Sequence, residues 1–296
     1  MKTTKKFYGI ALALTCSLAA TLNAQNLFVA NEGSGTIGEY TTAGATVNAS
    51  LISGLSSPAG IVISGNNLYV GNIGRGTIGE YTTAGATVNA SLISGLNWPS
   101  FNAISGNNLF VSTANGNSIG EYTTAGATVN SLLIGLNSPS GIAISGNDLF
   151  LASWGGTIGE YTTAGATVNA SLISGLSGPA GIVISGNNLF VLNTFNGTIG
   201  EYTTAGATVN ADLISGLGGS NPDAIAISGN DLFVANYNGG YTTIGEYTTA
   251  GATVNADLIS GLDYPAGIAV GPVPEPAANI LAGVGAVALW LWRRRK

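Results

Sequence analysis

A long segment of this chain, Thr36-Ile-Gly-Glu-Tyr-Thr-Thr-Ala-Gly-Ala-Thr-Val-Asn-Ala-Ser-Leu-Ile-Ser-Gly-Leu55, returns five more times almost unchanged. Its tyrosine falls at positions 40, 81, 122, 161, 202 and 247, so successive copies are separated by 41, 41, 39, 41 and 45 residues. These spacings are too long for a leucine-rich or ankyrin repeat and match a four-stranded propeller blade. The sequence therefore predicts six blades in one domain, over residues 26–271.

Each copy divides into four short runs rich in β-branched and aromatic residues, separated by Gly, Asn and Ser. We name the four expected strands A to D, from the innermost to the outermost. In the copy that starts at Pro179 they fall at residues 182–184, 189–192, 198–203 and 208–214. Strands A and B are apolar on both faces, which is typical of sheets packed between two neighbours. The predicted fold class is all-β, a six-bladed β-propeller of four-stranded blades.

The two ends of the repeat array are incomplete copies that begin and stop at different strands of the blade. The array begins directly at a B strand, at Asn26, and stops after an A strand that ends near Val270. One C-terminal strand and three N-terminal strands therefore complete the sixth blade. This split blade is expected to close the ring and to leave no exposed inner edge.

The N-terminal segment has the order of a secretory signal peptide. Lys2, Lys5 and Lys6 precede an apolar run, and small and polar residues follow that run. Cleavage after Ala24 would release the mature chain just before its first strand, so we assign residues 1–24 to the signal peptide. An uncleaved anchor is the less favoured alternative, because the apolar run is short for a bilayer.

The C-terminal segment resembles the PEP-CTERM sorting signal in three successive features. The motif Val273-Pro274-Glu275-Pro276 precedes an apolar run at residues 277–292, which we expect to be a transmembrane helix. A basic cluster ends the chain, and we assign residues 273–296 to the signal.

The resemblance implies a Gram-negative host and an intermediate anchored in the inner membrane, with its basic end inside. It also implies an exosortase-type enzyme that cleaves near Pro-Glu-Pro, after which the chain reaches the cell surface or extracellular matrix. A permanent single-span anchor is the alternative. The basic cluster that ends the chain consists of Arg293, Arg294, Arg295 and Lys296.

The blades themselves resemble NHL-type and gluconolactonase-like propellers. The similarity rests on Pro-x-Gly-Ile-x-Ile, then Asn-Leu-Phe-Val-x-Asn, then Gly-Thr-Ile-x-x-Tyr, and it implies the fold more than any chemistry. Gluconolactonase-like enzymes bind a metal over the axis through acidic and amide side chains, whereas no A strand here is expected to contain a carboxylate. Virginiamycin-lyase-like propellers use histidine, and this chain has none. We therefore expect no enzymatic activity.

Composition excludes several further kinds of site. The only cysteine, Cys16, lies in the signal peptide, so Ser-His-Asp, Cys-His and zinc sites are unavailable to the mature chain. No cofactor is predicted. The oxygen ligands that remain suit a hard cation such as calcium. Residues 25–276 contain one basic residue, Arg75, and fourteen acidic residues, which gives a net charge of −13. A surface with this charge repels phosphate backbones, so nucleic-acid binding is excluded. We expect a monomer.

Copy-to-copy differences are concentrated in the B–C and D–A loops, which lie on one face of a propeller. The A–B and C–D turns of the other face are nearly identical in every copy. Aromatic rings and Asn or Asp side chains in the variable loops are suited to sugars, although duplicated loops also diverge wherever packing allows. The candidate ligand-binding residues of this variable face are Arg75, Trp98, Phe101, Asn102, Trp154, Phe195, Asp223, Tyr237, Tyr241 and Tyr264.

Three functions follow, in order of preference. The first is a non-enzymatic, surface-sorted propeller that binds an extracellular partner, above all a polysaccharide, through the variable face. The second is a purely structural envelope or matrix protein. The third is a calcium-dependent lactonase-like hydrolase that uses Asn102, Asp223 and Asp263. A glutamate repeated on every C strand, as at Glu39, is predicted either to be solvated at the blade edge or to form hydrogen bonds there, because neighbouring blades hold these carboxylates too far apart to share one cation.

Overall fold

The computed structural model describes residues 25–217, 221–238 and 241–272, and the predicted signal peptide and membrane segment lie outside these residues. The described part of the chain contains twenty-four strands and a single turn of 3₁₀ helix, Ile73–Arg75. In chain order, the strands of its first half are β1 (Gln25–Asn31), β2 (Thr36–Thr41), β3 (Thr46–Ile52), β4 (Pro58–Ser64), β5 (Asn67–Asn72), β6 (Thr77–Thr82), β7 (Thr87–Ile93), β8 (Pro99–Ser105), β9 (Asn108–Thr113), β10 (Ser118–Thr123), β11 (Thr128–Gly135) and β12 (Pro139–Ser145). Those of the second half are β13 (Asp148–Ser153), β14 (Thr157–Thr162), β15 (Thr167–Ser174), β16 (Pro179–Ser185), β17 (Asn188–Asn193), β18 (Thr198–Thr203), β19 (Thr208–Ile214), β20 (Asn221–Ser228), β21 (Asp231–Asn238), β22 (Tyr241–Thr248), β23 (Thr253–Ile259) and β24 (Pro265–Pro272).

The strands form six antiparallel four-stranded sheets, which confirms the six-bladed propeller. One sheet has the order β24-β1-β2-β3, so the predicted split blade is also confirmed. We number this sheet blade 1 and the others blades 2 to 6 along the chain. Strands C and D of blade 5 have the predicted bounds, whereas its A and B strands, β16 and β17, are longer than expected.

One prediction about the innermost strands is wrong. Asp223 lies inside β20, the A strand of blade 6, although no A strand was expected to hold a carboxylate. The reason is that every A strand is longer than expected and begins at or just before the proline of its copy, as β16 does at Pro179, so the position after that proline lies within the strand. Blade 6 differs from the other blades beyond this point, where β20 continues to pair with β21 as far as Asn221 opposite Tyr237.

The hydrophobic core is divided among the six boundaries between blades. At the boundary of blades 1 and 2, for example, Phe28 and Ile37 pack against Leu68, Val70 and Tyr81. Each of the other five boundaries has an equivalent cluster. Every blade therefore depends on both neighbours to bury its two faces.

The repeated tyrosine is part of these clusters, and it explains a glycine beside it. Tyr40 is buried against blade 6, on Ala226 and Phe233. A Cβ on Gly38 would lie 2.6 Å from Cε2 of Tyr40. Gly38 therefore leaves the room that the tyrosine ring occupies, and the same pair recurs in every blade.

The outermost strands are exposed along most of their length and are interrupted by a bulge. In blade 1, Glu39 pairs with Asn48 and Ile37 pairs with Ile52, so three residues of β3 face one residue of β2. The side-chain Oδ1 of Asn48 accepts a hydrogen bond from the backbone N of Ser50 at 3.1 Å. Bulges of this kind interrupt the regular edge that would otherwise pair with another chain.

Four of the repeated glutamates accept a hydrogen bond from the asparagine at the start of strand B, which is one of the two alternatives predicted for these carboxylates. The Asn188 Nδ2 to Glu201 Oε1 distance is 2.7 Å. In blades 4 and 6 the asparagine is replaced by Asp148 or Asp231, so two carboxylates face each other. Burial and the charge of Asp148 raise the pKa of Glu160. The other three hydrogen-bonded pairs are Asn26–Glu39, Asn67–Glu80 and Asn108–Glu121.

We expect Gly141→Ala to destabilise the ring, because a Cβ on Gly141 would lie 2.2 Å from the backbone oxygen of Ala180 on the neighbouring A strand. Such overpacking against a backbone atom costs about 2–3 kcal/mol. This corresponds to a fall in Tm of about 4–12 °C for a domain of this size, measurable by calorimetry. Gly135→Ala is the matched control, since nothing lies within 4 Å of its added Cβ. Equal shifts in the two variants would contradict the close-approach argument.

We expect Asp148→Asn to stabilise the protein at pH 7 by about 1 kcal/mol, because an asparagine here can donate to Glu160. The raised pKa of Glu160 means that the wild-type chain loses stability as pH rises through that pKa. The advantage of the variant should therefore shrink as pH falls through the raised pKa of Glu160, because the protonated Glu160 carries no charge. Thermal unfolding at several pH values measures this. Asp212→Asn on the exposed part of β19 is the control, and an equal gain there would refute the explanation.

Candidate functional site

Backbone hydrogen bonds show which loops share a face. The C–D turn contacts the A–B turn in blade 2, where Thr83 N donates to Asn66 O at 2.8 Å. On the opposite side, Ile73 N of a B–C loop donates to Ser57 O of a D–A loop at 3.0 Å. The variable loops therefore lie together, on the face opposite the repeated turns.

Both ends of the described fold leave from the face with the repeated turns. Gln25 at the start of β1 pairs with Pro272 at the end of β24. In the split blade, these two ends take the place of the A–B turn. The variable face is thus the side of the ring away from Gln25 and Pro272.

A cavity of about 510 Å³ opens on the variable face. Its volume lies within the range of sites for small ligands. Side chains from several blades converge on it, and four of the ten predicted ligand-binding residues are among those that line it: Trp98, Phe101, Trp154 and Asp223.

The two tryptophans are held by short loops. Trp98 lies in the D–A loop before β8 with a φ of +58°, and 52% of its surface is exposed. Its backbone oxygen accepts a hydrogen bond from Ala114 N at 3.0 Å, which fixes this unusual backbone conformation. Trp154 lies after β13, and its ring is 5.5 Å from that of Phe195. Phe195 is 68% exposed and extends the aromatic surface beyond the cavity.

Phe101 separates this cavity from a smaller one on the ring axis. It stands where blades 1, 2, 4 and 5 have glycine in their A strands, and it lines both the upper cavity and an axial cavity of about 80 Å³. The register of β8 shifts between Pro99 and Phe101. Ser112 Oγ accepts a hydrogen bond from Phe101 N at 3.0 Å and donates one to Phe101 O at 3.2 Å, which compensates for the lost pairing.

Asn102 lies in the axial cavity, below the larger one. Its Nδ2 donates to Tyr69 O at 3.0 Å, and its Oδ1 is buried without a hydrogen-bond partner. The side chain therefore helps join blades 2 and 3, and it is not among the residues that line the upper cavity.

Two carboxylates line the upper cavity, Glu32 of blade 1 and Asp223 of blade 6. Burial, together with the negative charge of Glu32, raises the pKa of Asp223 to about 7. Glu32 is held by its backbone N, which donates to Tyr264 O at 2.8 Å. The sequence analysis did not select Glu32. It is the only acidic residue in any B–C loop, so a comparison of the six copies could have identified it.

The remaining predicted residues lie around the rim or away from it. The rings of Tyr237 and Tyr264 are 4.4 Å apart. Their hydrogen bond, burial and the charges of Tyr264, Glu32 and Asp223 raise the pKa of Tyr237, which indicates that this pair lies near the cavity carboxylates. Arg75 is exposed at the end of the 3₁₀ helix. Of Tyr241, the structure describes only the backbone, at the start of β22.

The proposed lactonase residues lie in three different environments. Asp223 lines the upper cavity, Asn102 lines the axial cavity, and Asp263 is exposed beside Gly33. Among the residues that the structure describes, no three acidic, histidine or cysteine side chains are grouped as metal ligands.

We expect the Asp223 carboxyl to titrate near pH 7, and Glu32→Gln to lower that midpoint because it removes a neighbouring negative charge. The unfolded chain ionises Asp223 near pH 4, so the free energy of unfolding should fall as pH rises from about 4 to about 7. Asp223→Asn should remove this part of the slope. Carboxyl ¹³C NMR and denaturant unfolding across this pH range measure the two effects. A midpoint near 4 would show that Asp223 is well solvated.

Similar folds occur widely among solved structures, with 736 matching chains. A chain in the crystal structure of a nidogen/laminin complex has a TM-score of 0.67 and 14% identity, covering 83% of this chain and 98% of that chain. Virginiamycin B lyase from Staphylococcus aureus has a TM-score of 0.58 and 20% identity, covering 87% of each chain. Its catalytically inactive form with quinupristin has the same score and identity, covering 80% of this chain and 86% of that chain. At these identities the likeness establishes the fold alone.

Comparison with curated proteins finds no significant match. In the described ranges, none of the helical structure is long and apolar enough to cross a membrane. The predicted span at residues 277–292 is outside those ranges. At the C-terminus, residues 272–296 match the model of the PEP-CTERM protein-sorting motif. This confirms the resemblance seen in Val273 to Pro276 and in the final basic cluster, and it implies recognition by an exosortase and sorting to the surface of a Gram-negative cell. The chain is thus a six-bladed β-propeller that carries a C-terminal PEP-CTERM protein-sorting motif.

Proposed function

We propose that this surface-sorted propeller is a non-enzymatic binding protein that takes an extracellular polysaccharide into the cavity of its variable face. The observation that carries the proposal is the cavity of about 510 Å³ with two tryptophans in its wall. Flat aromatic rings bury the apolar faces of sugars, and carboxylates accept hydrogen bonds from hydroxyl groups. Trp98, Trp154, Glu32 and Asp223 supply both kinds of contact.

The position of the cavity supports the same role. The chain continues towards its sorting motif from Pro272, which lies on the opposite face. A propeller held through that segment presents its cavity outward, towards the extracellular layer. A monomer suffices for this arrangement, because side chains of a single ring line the cavity.

Catalysis is the second candidate, because virginiamycin B lyase shares the fold. The catalytically inactive form of that lyase carries a histidine-to-alanine substitution. This chain contains no histidine, so it has no imidazole for the corresponding chemistry. The separation of Asn102, Asp223 and Asp263 likewise favours binding over a calcium-dependent lactonase.

We expect Trp98→Ala to weaken polysaccharide binding at least about tenfold, because each stacked aromatic contributes on the order of 1 kcal/mol beyond its buried area. The measurement is isothermal titration of the full chain, in detergent, with neutral and charged oligosaccharides. Leu132→Ala is the control, since it removes an apolar side chain that is 63% exposed on the outer strand β11.

Absence of binding to every oligosaccharide would favour the purely structural envelope protein instead. Cleavage of an oligosaccharide or a lactone by the wild-type chain, abolished by Asp223→Asn, would favour the enzyme.

A further inference from the structure

The upper cavity combines aromatic and acidic side chains, and it has no basic residue among those lining it. Glu32 and Asp223 come from adjacent blades, because blade 6 closes the ring against blade 1. Trp98 and Trp154 come from blades 3 and 4. The acids and the tryptophans therefore enter the wall from different parts of the ring.

We propose that the cavity selects a polysaccharide whose sugars bear a protonated amine, such as a 2-amino-2-deoxyhexose, over neutral or acidic sugars. This inference rests on the proposed polysaccharide binding and adds the chemical class of the sugar. In such a complex the apolar face of the sugar packs on a tryptophan, and the ammonium group lies between the two carboxylates.

The charge of the whole ring favours a cation at this site. Residues 25–272 contain thirteen acids and one base, Arg75. Arg75 is exposed and is not one of the residues that line the cavity. A concave surface with this charge concentrates cations and repels uronate or sulfate groups. An acidic polysaccharide is therefore the least suitable ligand.

The aromatic side chains support the same choice. The faces of tryptophan and tyrosine rings attract cations at centroid distances up to about 6 Å. Besides the two tryptophans, the Tyr237–Tyr264 pair, whose rings are 4.4 Å apart, lies beside Glu32, because Glu32 N donates a hydrogen bond to Tyr264 O at 2.8 Å. Rings and carboxylates thus attract the same positive group, whereas a neutral N-acetyl group would gain from neither attraction.

The test compares two hexasaccharides of identical backbone, the β-1,4-linked glucosamine hexamer and its fully N-acetylated form, by isothermal titration with the full chain at pH 7 and moderate salt. We expect the amine-bearing hexamer to bind at least about tenfold more tightly. Glu32→Gln and Asp223→Asn should each remove most of that preference, because each should weaken binding of the amine-bearing hexamer more than binding of the N-acetylated hexamer. Asp263→Asn, an exposed acid of the same face outside the cavity lining, is the matched control.

The possible results distinguish the preference for an amine from polysaccharide binding itself. Equal affinity for both hexamers, unaffected by Glu32→Gln, would overturn the amine preference while polysaccharide binding stands. Failure of both hexamers and of a uronate hexamer to bind would overturn polysaccharide binding itself. Binding of spermidine as tightly as the amine-bearing hexamer would show that the cavity recognises charge without the sugar, which would also overturn the inference. Circular dichroism of each variant establishes that its fold is intact.

Discussion

The structure depends on the burial of each blade's two faces against its neighbours. Every core cluster lies at a boundary between blades, as where Phe28 of blade 1 packs beside Leu68 of blade 2. A blade on its own would expose both apolar faces, so the sheets are stable only as a closed ring. The pairing of β24 with β1 completes that ring, and it does so with strands from opposite ends of the array.

This requirement divides the sequence into two classes of position. Many residues that face a neighbouring blade, such as Tyr40 with Gly38, are repeated in every copy, because a large change there would disrupt the packing between blades. Apart from a repeated leucine of the D–A loop, such as Leu55, the B–C and D–A loops contribute little to these clusters, and their residues differ between copies. Trp98, Trp154 and Glu32 all stand in such loops, and the fold brings them to one cavity. Four nearly identical strands per blade thus provide the scaffold, and a few loop residues provide the chemistry.

Much of this fold was predictable from the sequence, because it is encoded six times. Repeat length, strand count and the phase of the two ends specify the closed ring, and the bounds of β18 and β19 follow from local composition. The site was less predictable, since it depends on exceptions to the repeat. Phe101 replaces a glycine and separates two cavities, and Asp223 lies in an A strand that begins earlier than its composition indicates. Distances between loops of different blades have no counterpart in the sequence, which is why the approach of Glu32 to Asp223 was missed.

The pairing of Gln25 with Pro272 has a mechanical consequence. The segment that leads to the sorting motif continues from β24, which is the innermost strand of its blade and contacts the A strands of both neighbouring blades, β4 and β20. Tension on the C-terminal segment therefore reaches the centre of the ring first. Because the β24–β1 hydrogen bonds run across the strand direction, a pull along β24 loads them together in shear.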